Sequence, residues 1–212
     1  MIVLALIGGI WLSLLYSASV PPASVHVIRV TVERGAGKAL LSALGMCIGQ
    51  LPHATVAALL AFSFPGWSRP ADPALRMVAT VFLVWMAWRT LKAEPLQRLA
   101  FLEKSVDLGG FADSFRRSLF MPHRLPFWIC LLLSTGVHLR GPGPGAVPPF
   151  VLGAVLGQFA WHLHFIVVAA LFGRRVPEPV SLRSLNKLRP LAGIVIGGLA
   201  FLLLAPLLFP PA

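Results

Sequence analysis

The sequence predicts an all-α, polytopic membrane protein with six transmembrane helices, arranged as two three-helix repeats of inverted topology. Three observations lead to this prediction: the composition, six apolar stretches separated by charged connections, and a motif that occurs twice. Of the 212 residues, 57% are hydrophobic and 12% are charged, and the mean hydropathy is +0.82. A water-soluble domain could not bury so large a share of apolar side chains, so we expect lipid to surround most of the chain.

The apolar stretches are long enough to cross a bilayer, which takes about 20 largely apolar residues. They run over residues 1–28, 39–64, 73–90, 119–138, 147–172 and 190–212. The first has neither a basic segment ahead of it nor a small-residue cleavage pattern, so we interpret it as a retained helix and not as a signal peptide. The third is the shortest, and Arg76 and Arg89 lie at its ends, where long side chains reach the interface. Residues 91–118 are predicted to be a cytoplasmic linker between a first repeat at 1–90 and a second at 119–212.

Basic residues fall mostly on one side of the predicted membrane. All but three of the 18 Lys and Arg residues lie in or beside the connections after the first, third and fifth stretches; the exceptions are Arg69, Arg76 and Arg140. The positive-inside rule then places both termini on the non-cytoplasmic side of the cell (inner) membrane. We expect the lipid bilayer and a small-molecule substrate as partners, and the oligomeric state is open between monomer and homodimer. Nucleic acid is not an expected partner despite the net charge of +11, because the charges form no continuous basic stripe.

The second and fifth stretches share the pattern Leu-Gly-x-x-x-Gly-Gln, at residues 44–50 and 152–158. Glycines four residues apart form a smooth helix face against which another helix packs closely. A Gln amide in hydrocarbon needs a partner, so Gln50 and Gln158 either tie helices together or line a polar cavity, and the sequence favours neither. Three spans separate the two copies, so the copies cross the membrane in opposite senses, as in an inverted-topology repeat.

Prolines interrupt the first and fourth stretches, which are corresponding members of the two repeats. The first contains Pro21-Pro22-Ala23-Ser24 and the fourth contains Met121-Pro122-His123-Arg124-Leu125-Pro126. Proline removes a backbone donor and clashes with the preceding turn, so each helix is expected to be kinked or unwound there. Irregular backbone at membrane depth is tolerated only against protein or a water-filled cavity. Paired interruptions are typical of a transporter's substrate site, with two structural kinks as the alternative.

In their order and spacing, these elements resemble the LysE/RhtB family of amino-acid exporters. Residues 21–24 and 34–38 are similar to the family's Pro-Gly-Pro break and basic loop, 45–50 to its glycine stripe with a polar residue, 114–123 to its Asn-Pro-Lys element, and 185–198 to its glycine-rich last helix. The glycine of Pro-Gly-Pro is missing here, and Met121 and His123 stand where Asn and Lys would be. The resemblance implies a six-helix secondary transporter that exports amino acids or related small molecules from the cytoplasm.

The predicted substrate site combines the two breaks with polar side chains in and near the repeat motif. It comprises Pro21, Pro22, Ser24, Gln50, His53, Pro122, His123, Arg124, Gln158 and His162. No cofactor is predicted; His residues could carry a coupled proton, and the coupling ion is left open. No Asp or Glu lies within any of the six stretches, which disfavours recognition of a lysine-like side chain. Arg124 is interpreted either as the partner of a substrate carboxylate or as an interfacial anchor.

Two other functions are weighed against export of an amino acid or derivative by alternating access. Export of a metal or other cation needs carboxylate, thiolate or clustered His ligands. The chain offers only scattered histidines with Cys47 and Cys130, so no metal site is predicted. A non-transporting component of envelope lipid assembly or export is the other alternative. An enzyme is not expected and no catalytic residue is assigned, because no span carries a His-Glu metal motif, a nucleophile elbow or paired carboxylates.

Overall fold

The computed structural model describes residues 2–19, 21–63, 73–93, 110–135, 143–172 and 178–208, and within these ranges the chain is helical apart from short connections. The helices are α1 (Ile2–Ser19), α2 (Pro21–Arg34), α3 (Ala36–Gly49), α4 (Leu51–Ser63), α5 (Pro73–Lys92), α6 (Phe111–Leu119), α7 (Arg124–Thr135), α8 (Val147–Phe172) and α9 (Glu178–Leu208), with a 3₁₀ turn at Gly143–Ala146. The described residues contain no strand, which confirms the all-α prediction for them.

Four helical stretches are long and apolar enough to cross a membrane. They are Ile2–Ser19, Ala36–Phe62, Pro73–Lys92 and Gly143–Phe172, and Arg124–Thr135 and Arg189–Ala205 are apolar but shorter. Large apolar side chains such as Val81, Leu156 and Val168 are exposed on their outer faces. Helices that are apolar on all sides are expected where lipid covers the outer surface. Length, composition and exposure together indicate a protein that crosses the membrane several times.

Each of the two glycine stripes makes a close helix contact in the described core. In α8, a Cβ at Gly153 would overlap the carbonyl oxygen of Leu6 in α1. In α3, a Cβ at Gly45 would overlap the carbonyl oxygen of Phe111 in α6. The prediction that these glycines allow close helix packing is therefore confirmed. The structure adds the partners: α8 packs on α1, α3 packs on α6, and α5 packs on α9.

The second apolar stretch is interrupted at Gln50, a feature that the sequence analysis did not predict. Helix α3 ends at Gly49 and α4 begins at Leu51. Pro52 lacks an N–H, and its ring would clash with the carbonyl group of Ile48 in a continuous helix. The backbone N–H of Gln50 turns to the carbonyl oxygen of Ile48. Pro52 therefore distorts this stretch at Gln50. The backbone of Gln50 stays in the right-handed helical region, at φ −88° and ψ −14°, so Ala36–Phe62 is still one apolar stretch long enough to cross a membrane.

Candidate functional site

Both predicted proline interruptions coincide with helix boundaries. Helix α1 ends at Ser19 and α2 begins at Pro21, in agreement with the preference for proline at the first position of a helix. Residues 120–123 separate α6 from α7, and the backbone N–H of Arg124 bonds to the carbonyl oxygen of Met121 at 3.2 Å. Helix α7 therefore starts at Arg124, and the start of this helix fixes the position of the arginine.

Arg124 is buried and its described partners are neutral. Its side chain is 1% exposed. Its Nη1 donates a hydrogen bond to the hydroxyl group of Ser118, and its Nε donates to the sulfur of Met121 at 3.4 Å. The guanidinium lies 5.8 Å from the centre of the Tyr16 ring, a cation–π distance. A buried guanidinium normally pairs with a carboxylate because desolvation of an isolated charge is costly.

The carboxylates that the structure describes are engaged elsewhere. Glu33 accepts a hydrogen bond from Arg29 at 2.7 Å, and Asp113 accepts one from Arg117 at 2.9 Å. Both pairs join residues four apart on one helix, the spacing at which opposite charges meet. Among the described residues, no carboxylate therefore neutralises Arg124.

Side chains from several helices surround Arg124. Its charge acts on Tyr16, Cys47, His53, His123 and His162, and we call these residues together with Arg124 the Arg124 cluster. His123 also interacts electrostatically with His53. The cluster thus joins α1, α3, α4, α8 and the connection before α7, and it contains four of the residues predicted for the site.

Ser118 connects Arg124 to the break in α3. Its hydroxyl accepts the hydrogen bond from Arg124 and donates one to the carbonyl oxygen of Met46 at 2.7 Å. In a continuous helix that carbonyl group would accept the N–H of Gln50, which here turns to Ile48 instead. The break at Gln50 therefore frees an acceptor that Ser118 uses, and the same hydroxyl orients the guanidinium.

Several buried polar atoms, three of them in the Arg124 cluster, have no hydrogen-bond partner among the described residues. They include both amide atoms of Gln50, the OH of Tyr16, Nδ1 of His53, Oε1 of Gln158 and Nδ1 of His162. Gln50 is 0% exposed and Gln158 and His162 are each 1% exposed. Because buried polar groups are nearly always paired, this set provides donors and acceptors for a polar ligand.

The motif histidine of α8 lies where its spacing predicts. Nε2 of Gln158 lies 3.4 Å from Nε2 of His162, so the two side chains share one helical face, as predicted. His162 is buried whereas His164 is exposed, which confirms that they point to different faces. No group of three His, Cys, Asp or Glu side chains in the described ranges is arranged to hold a metal ion.

Some predicted site residues do not belong to the Arg124 cluster. Ser24 is buried and accepts a hydrogen bond from Trp161 of α8 at 3.0 Å, which ties α2 to α8. Pro122 is exposed in the connection before α7. Pro21 and Pro22 open α2, and their side chains lie outside the described set.

The sequence analysis missed three residues that shape this site: Tyr16, Pro52 and Ser118. Two of them carry a signal. Tyr16 is the single tyrosine of the chain and lies in an apolar stretch, and Pro52 lies in the middle of another. Ser118 has no comparable signal, because its role depends on how α6 packs against α3.

A comparison with protein families identifies the chain. The model of the family described as LysE type translocator matches residues 14–206, a range that contains both breaks, both copies of the motif and Arg124. Neither a curated protein nor a solved structure shows a significant match. Translocators are transporters and not enzymes, and the apolar helices agree with a multi-pass membrane protein. The chain belongs to the LysE type translocator family.

Proposed function

We propose that the protein is a secondary transporter that exports a small metabolite, an amino acid or a derivative, from the cytoplasm by alternating access. The observation that carries this proposal is Arg124, a buried guanidinium at a helix break whose described partners are all neutral. Arginine binds a carboxylate through two parallel N–H···O bonds. A substrate carboxylate would therefore complete the pairing that the described residues leave open.

The polar atoms around Arg124 support a binding site and not a structural anchor. An anchor at the membrane interface would extend its charge toward water, whereas Arg124 is 1% exposed. Gln50, Gln158 and His162 present buried, unpaired polar atoms. The charge of Arg124 acts on His162, and Nε2 of His162 lies 3.4 Å from Nε2 of Gln158. These side chains would hold the polar groups of the substrate beside its carboxylate.

The packing supports two inverted repeats of three spans each. A helix ends at each break: α1 before Pro21, and α6, which overlaps the end of the predicted linker, before residues 120–123. The glycine stripe of each half contacts the helix that precedes the break of the other half. Cross-packed repeats around a pair of interrupted helices suit a mechanism in which one half rocks against the other about a central site. The distribution of Lys and Arg favours the inner membrane with both termini outside.

Efflux from reconstituted vesicles tests this function. Purified protein in liposomes loaded with labelled amino acids and related metabolites should release at least one of them faster than protein-free liposomes. Arg124→Gln should slow that release by about ten-fold or more, since truncating one partner of a buried charged pair costs about 2–5 kcal/mol. The matched control is Arg116→Gln, the same change at an exposed position of α6, which should leave efflux unchanged. Flat efflux across the whole panel would refute the amino-acid form of the proposal.

A further inference from the structure

We infer that the cargo is a small organic anion with a net charge of −1, a hydroxy-monocarboxylate that lacks the ammonium group of an amino acid. This inference rests on the proposed export of a small metabolite, and for the same site it selects the hydroxy analogue of an amino acid over the amino acid itself. It depends on the charge of the Arg124 cluster together with the hydrogen-bonding groups around it.

The first step concerns the charge of the empty cluster. Arg124 bonds to a hydroxyl group and a thioether, and its charge acts on a phenol, a thiol and imidazoles. A phenol and a thiol are ordinarily neutral near pH 7, and an imidazole can only add positive charge. The described members of the cluster therefore give it a net charge of at least +1.

The sequence shows that the apolar stretches cannot supply a counter-charge. All seven acidic residues lie in the connections between them: Glu33, Asp72, Glu94, Glu103, Asp107, Asp113 and Glu178. The two whose side chains are described already pair with arginines on their own helices. Among the described residues, no carboxylate is left to neutralise Arg124, and we infer that the substrate supplies the negative charge.

The second step compares the two candidate kinds of substrate. A monocarboxylate brings a charge of −1 and neutralises the guanidinium. A zwitterionic amino acid brings no net charge, so the occupied site would still hold a buried positive charge, which a low-dielectric environment strongly disfavours. Its ammonium group would also lie close to Arg124, and like charges at short range repel.

The third step concerns the group next to the carboxylate. Oε1 of Gln50, Oε1 of Gln158 and Nδ1 of His162 are buried and unpaired within the described part of the chain, and the amide NH₂ of Gln50 adds a donor. Amide oxygens accept hydrogen bonds from either a hydroxyl or an ammonium group. Hydrogen bonding alone therefore suits a substrate with either a hydroxyl or an ammonium group. The positive charge of the cluster favours the substrate with the hydroxyl group.

Matched pairs of compounds test the inference directly. Glycerate differs from L-serine, and L-lactate from L-alanine, only in a hydroxyl group where the amino acid has an ammonium group. Proteoliposomes at pH 7.5 are loaded with each labelled compound, and release is corrected for protein-free liposomes. We expect release of the anion to be about ten-fold or more faster than that of its zwitterionic partner, with glycerate as the stricter case because it leaks less through lipid.

The outcomes separate this inference from the proposed function. Release of serine and alanine as fast as that of glycerate and lactate would overturn the anionic cargo and leave transport standing. If neither member of any pair is released, while no other metabolite is released either, the proposed function fails and the inference fails with it.

A second experiment places a negative charge beside Arg124 by substitution. Met121 accepts a hydrogen bond from Nε of Arg124 and is only half-buried, so a polar side chain of similar length fits there. Met121→Glu supplies a carboxylate beside the guanidinium, and we expect it to slow glycerate release about ten-fold and to narrow the preference over serine. Met121→Gln, its uncharged match, should keep the preference of the unmodified protein. Equal behaviour of the two variants, each monodisperse in detergent, would overturn the inference.

Discussion

The two copies of Leu-Gly-x-x-x-Gly-Gln fold differently after their last residue. In the second copy, α8 continues through Gln158 and ends at Phe172, whereas in the first copy α3 ends at Gly49 and Gln50 lies in a turn. Two residues after the Gln, the first copy has Pro52 where the second has Ala160. Proline cannot continue a helix without loss of a hydrogen bond. Pro52 thus accounts for the helix boundary that the first copy has and the second copy lacks.

The two glutamines differ accordingly. The amide nitrogen of Gln158 lies 3.4 Å from a ring nitrogen of His162, one turn further along the same helix. Both amide atoms of Gln50 are unpaired among the described residues, and His53 lies on the next helix. The same residue type therefore contacts a histidine on a continuous helix in one half and is buried without a described partner at a helix boundary in the other.

The glycine stripes also meet different partners. The stripe of α8 faces α1, a helix of 18 residues, and Gly9 of α1 meets Phe150 of α8 just as closely in return. The stripe of α3 faces α6, a helix of nine residues. Hydroxyl groups hold α6 in place, through Ser42 and Ser114 at 2.7 Å and through Ser118. Close packing thus holds both helices, and hydrogen bonds from hydroxyl groups add to it at the shorter α6.

The largest expected effect comes from transferring the break to the second copy. Ala160→Pro places a proline two residues after Gln158, and it should destabilise the protein by about 3 kcal/mol or more through the lost hydrogen bond and the ring clash in α8. Pro52→Ala removes the break from the first copy, so the N–H of Gln50 can return to the carbonyl of Met46 and displace Ser118. The unfolding temperature of Ala160→Pro is measured in detergent by circular dichroism.

The variant Pro52→Ala is expected to affect transport activity without lowering thermal stability. Pro52→Ala should unfold at a temperature no lower than that of the unmodified protein, yet release substrate more slowly, because Ser118 would orient Arg124 less firmly. Ala160→Pro with unchanged stability would show that continuity of α8 is not required. Full transport by Pro52→Ala would show that the break at Gln50 plays no part in the site.

A smaller effect is expected from filling the glycine stripes. Gly153→Ala forces a methyl group against the backbone of α1 and should cost about 1–3 kcal/mol. Gly45→Ala should cost less within that range, because the added methyl group overlaps Phe111 of α6 less than one at Gly153 overlaps Leu6 of α1, and because α6 is the shorter helix. Gly197→Ala is the matched control: no atom lies within 4 Å of the added Cβ, so thermal stability should be unchanged or higher. Equal losses at all three glycines would contradict the packing contrast between α1 and α6.

Much of this structure follows from local rules, and the rest depends on tertiary contacts. The interruptions at Pro21 and Pro122 were predictable because proline acts on its own turn of helix. The shared face of Gln158 and His162 was predictable from their spacing of four. No local rule indicates that α6 would lie against α3, so the hydrogen bonds of Ser118 could not be anticipated. Pro52 was overlooked because the apolar character of its stretch continues without interruption on both sides.

The smallest expected effect distinguishes the two glutamines. Gln50→Leu removes two unpaired buried amide atoms, so it should leave stability unchanged or raise it by about 1 kcal/mol, while efflux falls. Gln158→Leu leaves Nε2 of His162 without its described neighbour, and should instead lower stability by about 1 kcal/mol. Unfolding temperature and efflux are measured on both variants. If Gln50→Leu destabilises the protein as much as Gln158→Leu does, then Gln50 ties helices together. The proposed difference between the two glutamines would then be wrong.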